Sequence, residues 1–258
     1  EVVPTGVNML EFADQFTPQA MRNLQMAAGS RLRNRKVLLT VGRLIERKGV
    51  VHFLTEVMPR IIAQRQDICY LIVGEGPQRE LIETRIASLH LEDYVVLVGR
   101  VDDDTLRAAY HLCDLFVMPN IPVQHDIEGF GLVALEAAAA GRYVVASRLD
   151  GIPEAIVPGQ NGILLDPLDS ESFADNILAL LADDEQREAL GRKARKYVQG
   201  HYSWDIVARR YQRLFMRVIH DGHGHNQGQS QGQPSQAGAR SGKATETEPH
   251  EAPGARQE

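Results

Sequence analysis

Residues 115–146 read LFVMPNIPVQHDIEGFGLVALEAAAAGRYVVA, and this stretch decides the fold. It opens with a short apolar run, Leu115–Met118, and ends with another, Tyr143–Ala146. An Ala-rich helical pattern over residues 131–140 lies between them. Short apolar runs joined by a helix are typical of neighbouring strands in a parallel sheet that is buried on both faces. The stretch therefore predicts a strand–helix–strand unit.

The same alternation continues on both sides of this unit. Further strands are predicted at Val37–Val41, Cys69–Val73, Tyr94–Val98 and Ile163–Leu165. Further helices are predicted over residues 50–66, 77–90, 103–113, 170–182, 185–199 and 204–219. This repetition indicates an α/β fold, a Rossmann-like parallel sheet with helices on both faces. Sheets of this kind bind ligands at the carboxyl ends of their strands.

The composition divides the chain into three segments. Residues 1–35 are predicted to be an interdomain linker and lead-in, because a short strand runs directly into a Pro/Gly turn. Residues 36–220 are predicted to form the Rossmann-like domain with its C-terminal helix. Residues 221–258 contain no Val, Ile, Leu, Met or aromatic residue, so we expect a disordered low-complexity tail. Because residue 1 is Glu, we interpret the start as a fragment boundary, a processing site or a truncation.

The overall composition excludes several classes of protein. The 258 residues are 43% hydrophobic and 24% charged, as in an ordinary globular protein. A net charge of −6 is unlike that of a protein that coats nucleic acid, so no nucleic-acid partner is expected. No apolar run reaches the roughly 18–20 residues that span a bilayer, so no transmembrane segment is predicted. Cys69 and Cys113 are interpreted as buried thiols in a reducing compartment, which indicates a cytoplasmic protein.

The loop after the first strand combines two glycines with two cations. Gly42 and Arg43 follow the strand, and Lys48 and Gly49 precede the next helix. Glycine lets the backbone approach a ligand closely, while Arg offers a planar fork and Lys a point charge to phosphate oxygens. The loop is a candidate diphosphate site. The alternative is a solvated basic turn in which Glu46 is the ion partner.

Two other motifs look like ligand sites, but the first is explained equally well, and the second better, as a helix start. Residues 74–77 read Gly-Glu-Gly-Pro, but the third glycine of a dinucleotide-binding fingerprint is replaced by Arg79. Asp102–Asp104 look like a metal-binding Asp-x-Asp motif, but they stand immediately before a helical pattern. Acidic residues at that position cap free N–H groups. No metal site is predicted.

Residues 126–141 carry the most specific motif of the chain. Glu128 precedes the turn Gly129-Phe130-Gly131, which opens an apolar helix that contains Glu136. Free N–H groups at such a helix start attract anions. A carboxylate in so apolar a helix is costly unless it is paired, and the two hydroxyls of a ribose would pair it. A buried Arg or backbone amides are the alternative partners of Glu136.

Together these motifs resemble the C-terminal, donor-binding domain of GT-B glycosyltransferases of family 4, the glycosyl transferases group 1. The resemblance covers about residues 1–218, and the pair Glu128-x7-Glu136 is its most specific part. The other matching segments are Val2–Asn8, Val41–Leu44, Lys48-Gly49, Ile72–Pro77, Val98–Val101, Gly151–Glu154, Asn161-Gly162 and Tyr202–Trp204.

The resemblance implies a retaining, metal-independent transfer from a nucleoside-diphosphate sugar, which is a co-substrate, so no cofactor is expected. It implies that Arg43 and Lys48 neutralise the departing diphosphate, an electrostatic stabilisation of developing charge. Glu128 would contact the sugar hydroxyls and Glu136 the ribose hydroxyls. Arg43, Lys48 and Glu128 are thus the predicted catalytic residues. The predicted donor-binding residues are Gly42, Arg43, Lys48, Arg100, Val101, Glu128, Gly129, Phe130, Gly131, Leu132 and Glu136.

Within that set, Arg100 and Val101 would lie beside the base, and the amides near Gly131 would lie close to the sugar and phosphate. The chain also departs from the family pattern at two positions. Asn120 stands where the family usually has Ser, and Asp150 replaces the first residue of a Gly-Gly pair. We expect neither change to abolish donor binding.

The acceptor-binding N-terminal domain of such enzymes is missing from these residues. An acceptor glycan, lipid or small molecule would be held there, so we expect this chain alone to be inactive. The sequence thus indicates a hexosyl- or N-acetylhexosaminyl-transferase donor domain, with uracil, guanine or adenine as the base. A non-catalytic nucleotide-sugar-binding module is the alternative. A sugar-nucleotide epimerase of similar fold would lack the spacing of Glu128 and Glu136.

Overall fold

The computed structural model describes residues 4–12 and 16–224. The chain divides into two compact units, Glu1–Leu214 and Phe215–Glu258, and the first contains the sheet. From residue 225 onward, the predicted low-complexity tail lies outside the described residues. The described part of the second unit is helical.

Within the described residues, the sheet has six strands, and all of their pairings are parallel. The strands are β1 Lys36–Val41, β2 Ile68–Val73, β3 Val95–Gly99, β4 Leu115–Met118, β5 Tyr143–Ser147 and β6 Gly162–Leu165. Each predicted strand is found within one residue of its predicted bounds. The predicted Rossmann-like fold is confirmed.

The strand order is β3-β2-β1-β4-β5-β6, so β1 and β4 are neighbours although β2 and β3 lie between them in the chain. β2 and β3 extend the sheet on one side of β1, and β4, β5 and β6 then extend it on the other side. The point where the direction reverses is the place where open α/β sheets bind ligands. It brings the loop after β1 next to the loop after β4.

The described residues also form helices. They are α1 Pro18–Ala28, α2 Val50–His52, α3 Met58–Gln64, α4 Arg79–Ser88, α5 Asp103–Leu112, α6 Leu132–Ala139, α7 Ile152–Ala155, α8 Ser170–Ala182, α9 Asp184–Tyr202 and α10 Trp204–Gly224. A π-helical turn, Phe53–Val57, joins α2 to α3, so these pieces together form the helix predicted over 50–66. None of the described helices has the length and apolar character that a membrane crossing requires.

Helix α1 lies in the segment that was predicted to be a lead-in, where no helix was expected. Pro18 stands at its first turn, and the hydroxyl oxygen of Thr17 accepts a hydrogen bond from the amide of Ala20. Pro is favoured at this position because its missing N–H would have no helical partner. Ala20, Leu24 and Ala28 are buried, and the helix packs against α5.

The core is apolar and contains one buried polar chain that links three strands. The hydroxyl of Tyr70 in β2 donates to Thr40 in β1 at 2.8 Å, and Thr40 donates to the carbonyl of Val117 in β4 at 2.6 Å. Both cysteines are buried, as predicted. Burial raises the pKa of the Cys69 thiol to about 11 and that of Cys113 to about 12.

Candidate functional site at the ends of β1 and β4

The loops after β1 and β4 touch through their backbones. The amide of Ile121 donates to the carbonyl of Arg47 at 3.0 Å. Gly49 has a left-handed φ of 68°, and a Cβ atom built on it would lie 1.9 Å from the carbonyl oxygen of Pro119. No side chain fits between the loops at this point, so glycine is required for the close approach.

An ion cluster fills the junction of the two loops. The Nζ atom of Lys48 lies 2.5 Å from the Oε2 atom of Glu128, and both residues are buried. The guanidinium of Arg47 binds Glu128 as well, and its Nε atom lies 2.8 Å from Asp126. The Nδ2 atom of Asn120 donates to Glu128 at 2.9 Å. The predicted pair of Lys48 and Glu128 is thus brought together.

This arrangement contradicts the alternative interpretation of the basic loop for Lys48, although the second cation, Arg43, is exposed. Lys48 is 8% exposed rather than solvated, and its ion partner is Glu128 rather than Glu46. The reason is the strand order, which places the loop after β4 within reach of a side chain 80 residues earlier. A buried ammonium group needs such a partner because its desolvation is costly.

The three donors to Glu128 all meet the same carboxylate oxygen. Arg47, Lys48 and Asn120 bind Oε2, whereas Oε1 receives no hydrogen bond from the described residues. Burial on its own would raise the pKa of Glu128. The hydrogen bond and charge of Lys48, followed by Arg47 and Asn120, outweigh burial and lower the pKa below its usual value. The lowered pKa favours the ionised form of the Glu128 carboxylate.

A cleft of about 330 Å³ lies beside this cluster, at the ends of β1, β2 and β3. It brings together four predicted residues, Gly42, Arg43, Arg100 and Val101. Arg43 is exposed. A Cβ atom built on Gly42 would lie 3.3 Å from the Cε atom of Lys48, so the buried lysine is adjacent to the cleft wall. The cleft is otherwise lined mainly by apolar residues.

Glu136 lies on α6 in a second cavity, of about 290 Å³. Leu106 lines both cavities, so they adjoin. The hydroxyl of Tyr110 donates to Oε2 of Glu136 at 2.7 Å, and Tyr110 was not among the partners that the sequence suggested. Burial raises the pKa of Glu136; the hydrogen bond from Tyr110 lowers it, and the charges of Glu11 and Asp103 raise it further.

The remaining predicted residues surround the start of α6. Gly131 has a left-handed φ of 77°, and no side chain caps the helix there. Leu132 is exposed, whereas Phe130 is partly buried and contacts the ring of Tyr202. A Cβ atom built on Gly129 would meet nothing within 4 Å. The start of α6, next to Glu128, thus has no side-chain cap on its free N–H groups.

The other acidic motif caps a helix, as predicted. The carboxylate of Asp102 accepts a hydrogen bond from the amide of Thr105 at 2.7 Å, and Asp104 binds Thr17 and Arg107. Across residues 4–12 and 16–224, no group of three or more His, Cys, Asp or Glu side chains has the geometry of a metal site.

The glycines of residues 74–77 serve backbone packing between β1 and β2. A Cβ atom on Gly74 would lie 1.8 Å from the carbonyl oxygen of Gly42, and one on Gly76 would lie 2.4 Å from that of Leu44. The amide of Leu44 also donates to the carbonyl of Glu75 at 2.9 Å. Of these glycines, Gly74 lines the cleft.

Four residues at the site received no role from the sequence: Arg47, Tyr110, Asn120 and Asp150. Asn120 and Asp150 were noted only as departures from a family pattern, yet both contact Glu128. Their shared departure from the family pattern was the signal that could have identified them as site residues. Arg47 and Tyr110 gave none, because a charge next to Lys48 and an aromatic residue in an amphipathic helix are both ordinary.

Comparison with known proteins identifies the family of the chain. Residues 22–197 match the family described as "Glycosyl transferases group 1". A GDP-mannose-dependent alpha-(1-6)-phosphatidylinositol monomannoside mannosyltransferase of Mycobacterium tuberculosis is 31% identical over 210 residues, which are 81% of this chain and 53% of that protein. The chain therefore spans about half the length of this curated relative.

Solved structures show the same fold. Sucrose-phosphate synthase from Thermosynechococcus elongatus superposes with a TM-score of 0.68 at 29% identity, over 86% of this chain and 53% of that one. An Anabaena protein solved in complex with UDP and glucose gives a TM-score of 0.69 at 21% identity, over 84% of this chain and 56% of that one. The family match covers well over half of the chain, and the matched residues include Glu128 and Glu136. The chain belongs to the glycosyl transferases group 1 family, with the fold of the C-terminal domain of a GT-B glycosyltransferase.

Proposed function

We propose that this chain is the donor-binding half of a retaining hexosyltransferase that uses a nucleoside-diphosphate sugar without a metal ion. The observation that carries the proposal is the placement of two cations and two acids, Arg43, Lys48, Glu128 and Glu136, near the carboxyl ends of neighbouring strands. Lys48 contacts Glu128, and the cleft that holds Arg43 adjoins the cavity that holds Glu136. A diphosphate between two sugars has the complementary chemistry.

In this proposal each side chain has one task. Arg43 and Lys48 stabilise the negative charge that develops on the departing diphosphate, as preorganised cations do. The free Oε1 atom of Glu128 accepts a hydrogen bond from a hydroxyl of the transferred sugar. Glu136 accepts hydrogen bonds from the ribose. The base lies in the apolar cleft beside Arg100 and Val101.

The transfer itself exchanges one bond at the anomeric carbon. The bond from that carbon to the diphosphate oxygen breaks, and the acceptor hydroxyl oxygen forms a new bond on the same face. The acceptor proton passes to the departing phosphate. The acceptor would be bound by a further domain, because the chain spans about half the length of the curated relative. This chain alone is therefore expected to bind the donor without transferring its sugar.

The names of the relatives suggest which donors to test first. The mycobacterial relative is GDP-mannose-dependent, and the Anabaena structure contains UDP and glucose. Because the mycobacterial protein is the more similar in sequence, GDP-mannose is the first candidate and UDP-glucose the second.

Calorimetric titration of the chain with UDP, GDP and ADP, in the presence of a chelator, tests the proposal. One of the three should bind with a micromolar to millimolar Kd, which is about −4 to −8 kcal/mol. Glu136→Ala should weaken that binding by about 1–3 kcal/mol, because a charged hydrogen-bond acceptor is lost. Glu188→Ala, at an exposed position of α9, is the matched control. Equal binding of all three nucleotides, unchanged in Glu136→Ala, would contradict the proposal.

A further inference from the structure

We propose that Asn120 and Asp150 are positioning residues that hold Glu128 with its free oxygen toward the transferred sugar. They would set the affinity for the sugar separately from the affinity for the nucleotide. This inference rests on the proposed function and deepens it. Neither side chain is among the residues that line the cleft or the cavity of Glu136, and both contact Glu128.

Asn120 follows β4 and is 1% exposed. Its Nδ2 atom donates to Oε2 of Glu128 at 2.9 Å. Its Oδ1 atom is enclosed and has no partner among the described residues. An amide that served packing alone would be expected to pair both of its ends, because an unpaired buried acceptor is destabilising. The bond that Asn120 does make is directed at Glu128.

Asp150 contacts the backbone of Glu128, whereas Asn120 contacts its side chain. The Oδ2 atom of Asp150 accepts a hydrogen bond from the amide of Glu128 at 2.9 Å, and the next amide, that of Gly151, donates to the carbonyl of Glu128 at 3.1 Å. Asp150 has a left-handed φ of 48°, which Asp tolerates better than most residues. A Cβ atom on Gly151 would lie 1.7 Å from the carbonyl oxygen of Gly129, so the two turns interlock.

The cations at Glu128 cannot replace this support. Arg47 and Lys48 also donate to Oε2 of Glu128, but Arg47 is shared with Asp126 and Lys48 is the proposed partner of the diphosphate. When a diphosphate binds, it competes with Glu128 for Lys48. Asn120 is neutral, and Asp150 acts on the backbone, so both keep their bonds to Glu128 in the presence of the phosphates. They are the restraints that persist when the donor is bound.

The test compares a nucleotide with its sugar conjugate in matched variants. GDP and GDP-mannose, together with UDP and UDP-glucose, are titrated by calorimetry into the unaltered chain and into Asn120→Ala and Asp150→Gly. Each variant should lower the affinity for the sugar conjugate about tenfold, which corresponds to the loss of one hydrogen bond. The affinity for the plain diphosphate should change by less than about twofold. Asp150→Asn keeps an acceptor and tolerates the left-handed backbone, so it should restore most of the affinity.

Asn34→Gly is the matched control for Asp150→Gly. Asn34 also has a left-handed φ, of 53°, but it precedes β1, at the amino end of the strand, whereas the site lies at the carboxyl end. It should change neither affinity. If nucleotide and conjugate weaken together, or if neither changes, the positioning role is wrong although the proposed function stands. If the unaltered chain binds none of the four probes, the proposed function fails and this inference fails with it.

Discussion

The Nζ atom of Lys48 and the Oε2 atom of Glu128 lie 2.5 Å apart, and each side chain is 10% exposed. The cation proposed for the diphosphate and the acid proposed for the sugar are therefore in contact before any ligand arrives. A bound diphosphate would share the positive charge and the three N–H donors of Lys48 with Glu128. The ion pair of Lys48 and Glu128 stabilises the fold as well as the site, and its contribution to the stability of the fold depends on pH.

Glu128→Gln should lower the free energy of unfolding at pH 7 by about 2 kcal/mol, because Lys48 and Arg47 lose their common charge partner. The pKa of Glu128 is lowered in the folded protein, so its stabilisation is present above its ordinary pKa of 4.5 and is lost as pH falls through the folded value. Urea unfolding between neutral and acidic pH should show the two proteins converging. A constant difference would contradict the assignment, and Glu188→Gln is the control.

Glu136→Gln should have the opposite effect on stability. The pKa of Glu136 is raised above 4.5, so the folded protein loses stability as pH rises from 4.5 through the folded value. Glutamine carries no charge and still accepts the hydrogen bond from Tyr110. The variant should therefore be more stable than the unaltered chain at pH 7, with the advantage vanishing in acid. Its nucleotide affinity should fall, which calorimetry on the same preparation would show. A variant that is less stable at neutral pH would sink this prediction.

Two glycine substitutions separate loop packing from ligand contact. Gly49→Ala should destabilise the chain by about 2 kcal/mol or more, because it combines a left-handed backbone with a clash against Pro119. Gly129→Ala meets no atom within 4 Å, so it should change stability by less than about 0.5 kcal/mol. If a donor lies over Gly129, its methyl group should nevertheless weaken donor binding. Thermal unfolding and calorimetry measure both, and equal destabilisation of the two variants would argue against the loop geometry.

Removal of divalent metal should leave nucleotide binding unchanged. Asp102 caps a helix through the amide of Thr105, Asp104 binds Thr17, and neither belongs to a group of three possible metal ligands among the described residues. Titrations with a chelator and with added Mn²⁺ should give affinities within about twofold of each other, a difference below 0.5 kcal/mol. Asp102→Ala should lower the melting temperature through loss of the cap and leave affinity intact. A nucleotide affinity that requires Mn²⁺ would refute the metal-independent proposal.

The strands could be predicted from the sequence because burial on both faces makes each one a nearly continuous apolar run. β4 has the bounds that the sequence predicted, Leu115–Met118. Helix α1 could not be found by the same signal, since its buried residues are few and mostly alanine. Its Thr17-Pro18 start was the usable clue. Helix α7 has four residues, too few to show a period.

The members of the candidate site were easier to predict than their contacts. The sequence identified Lys48 and Glu128 from their residue types and flanking glycines. That they touch, and that Arg47 joins them, depends on the strand order, which spacing along the chain does not encode. The partner of Glu136 is likewise set by how α5 packs beside α6, so Tyr110 was not predicted. The roles assigned to the predicted donor-binding residues remain predictions for the titrations above.

The position of β4 beside β1 has a further consequence for the growing polypeptide. The basic loop after β1 leaves the ribosome about 80 residues before Glu128 does, and the turn that carries Asp150 follows later still. A nascent chain that ended at β3 would contain Arg43 and Lys48 but neither Glu128 nor Glu136. It would therefore lack the acids proposed to bind the two sugars of the donor. Nucleotide-sugar affinity should therefore emerge late, once the second half of the sheet has docked, and it would serve as a sensitive report of completed folding.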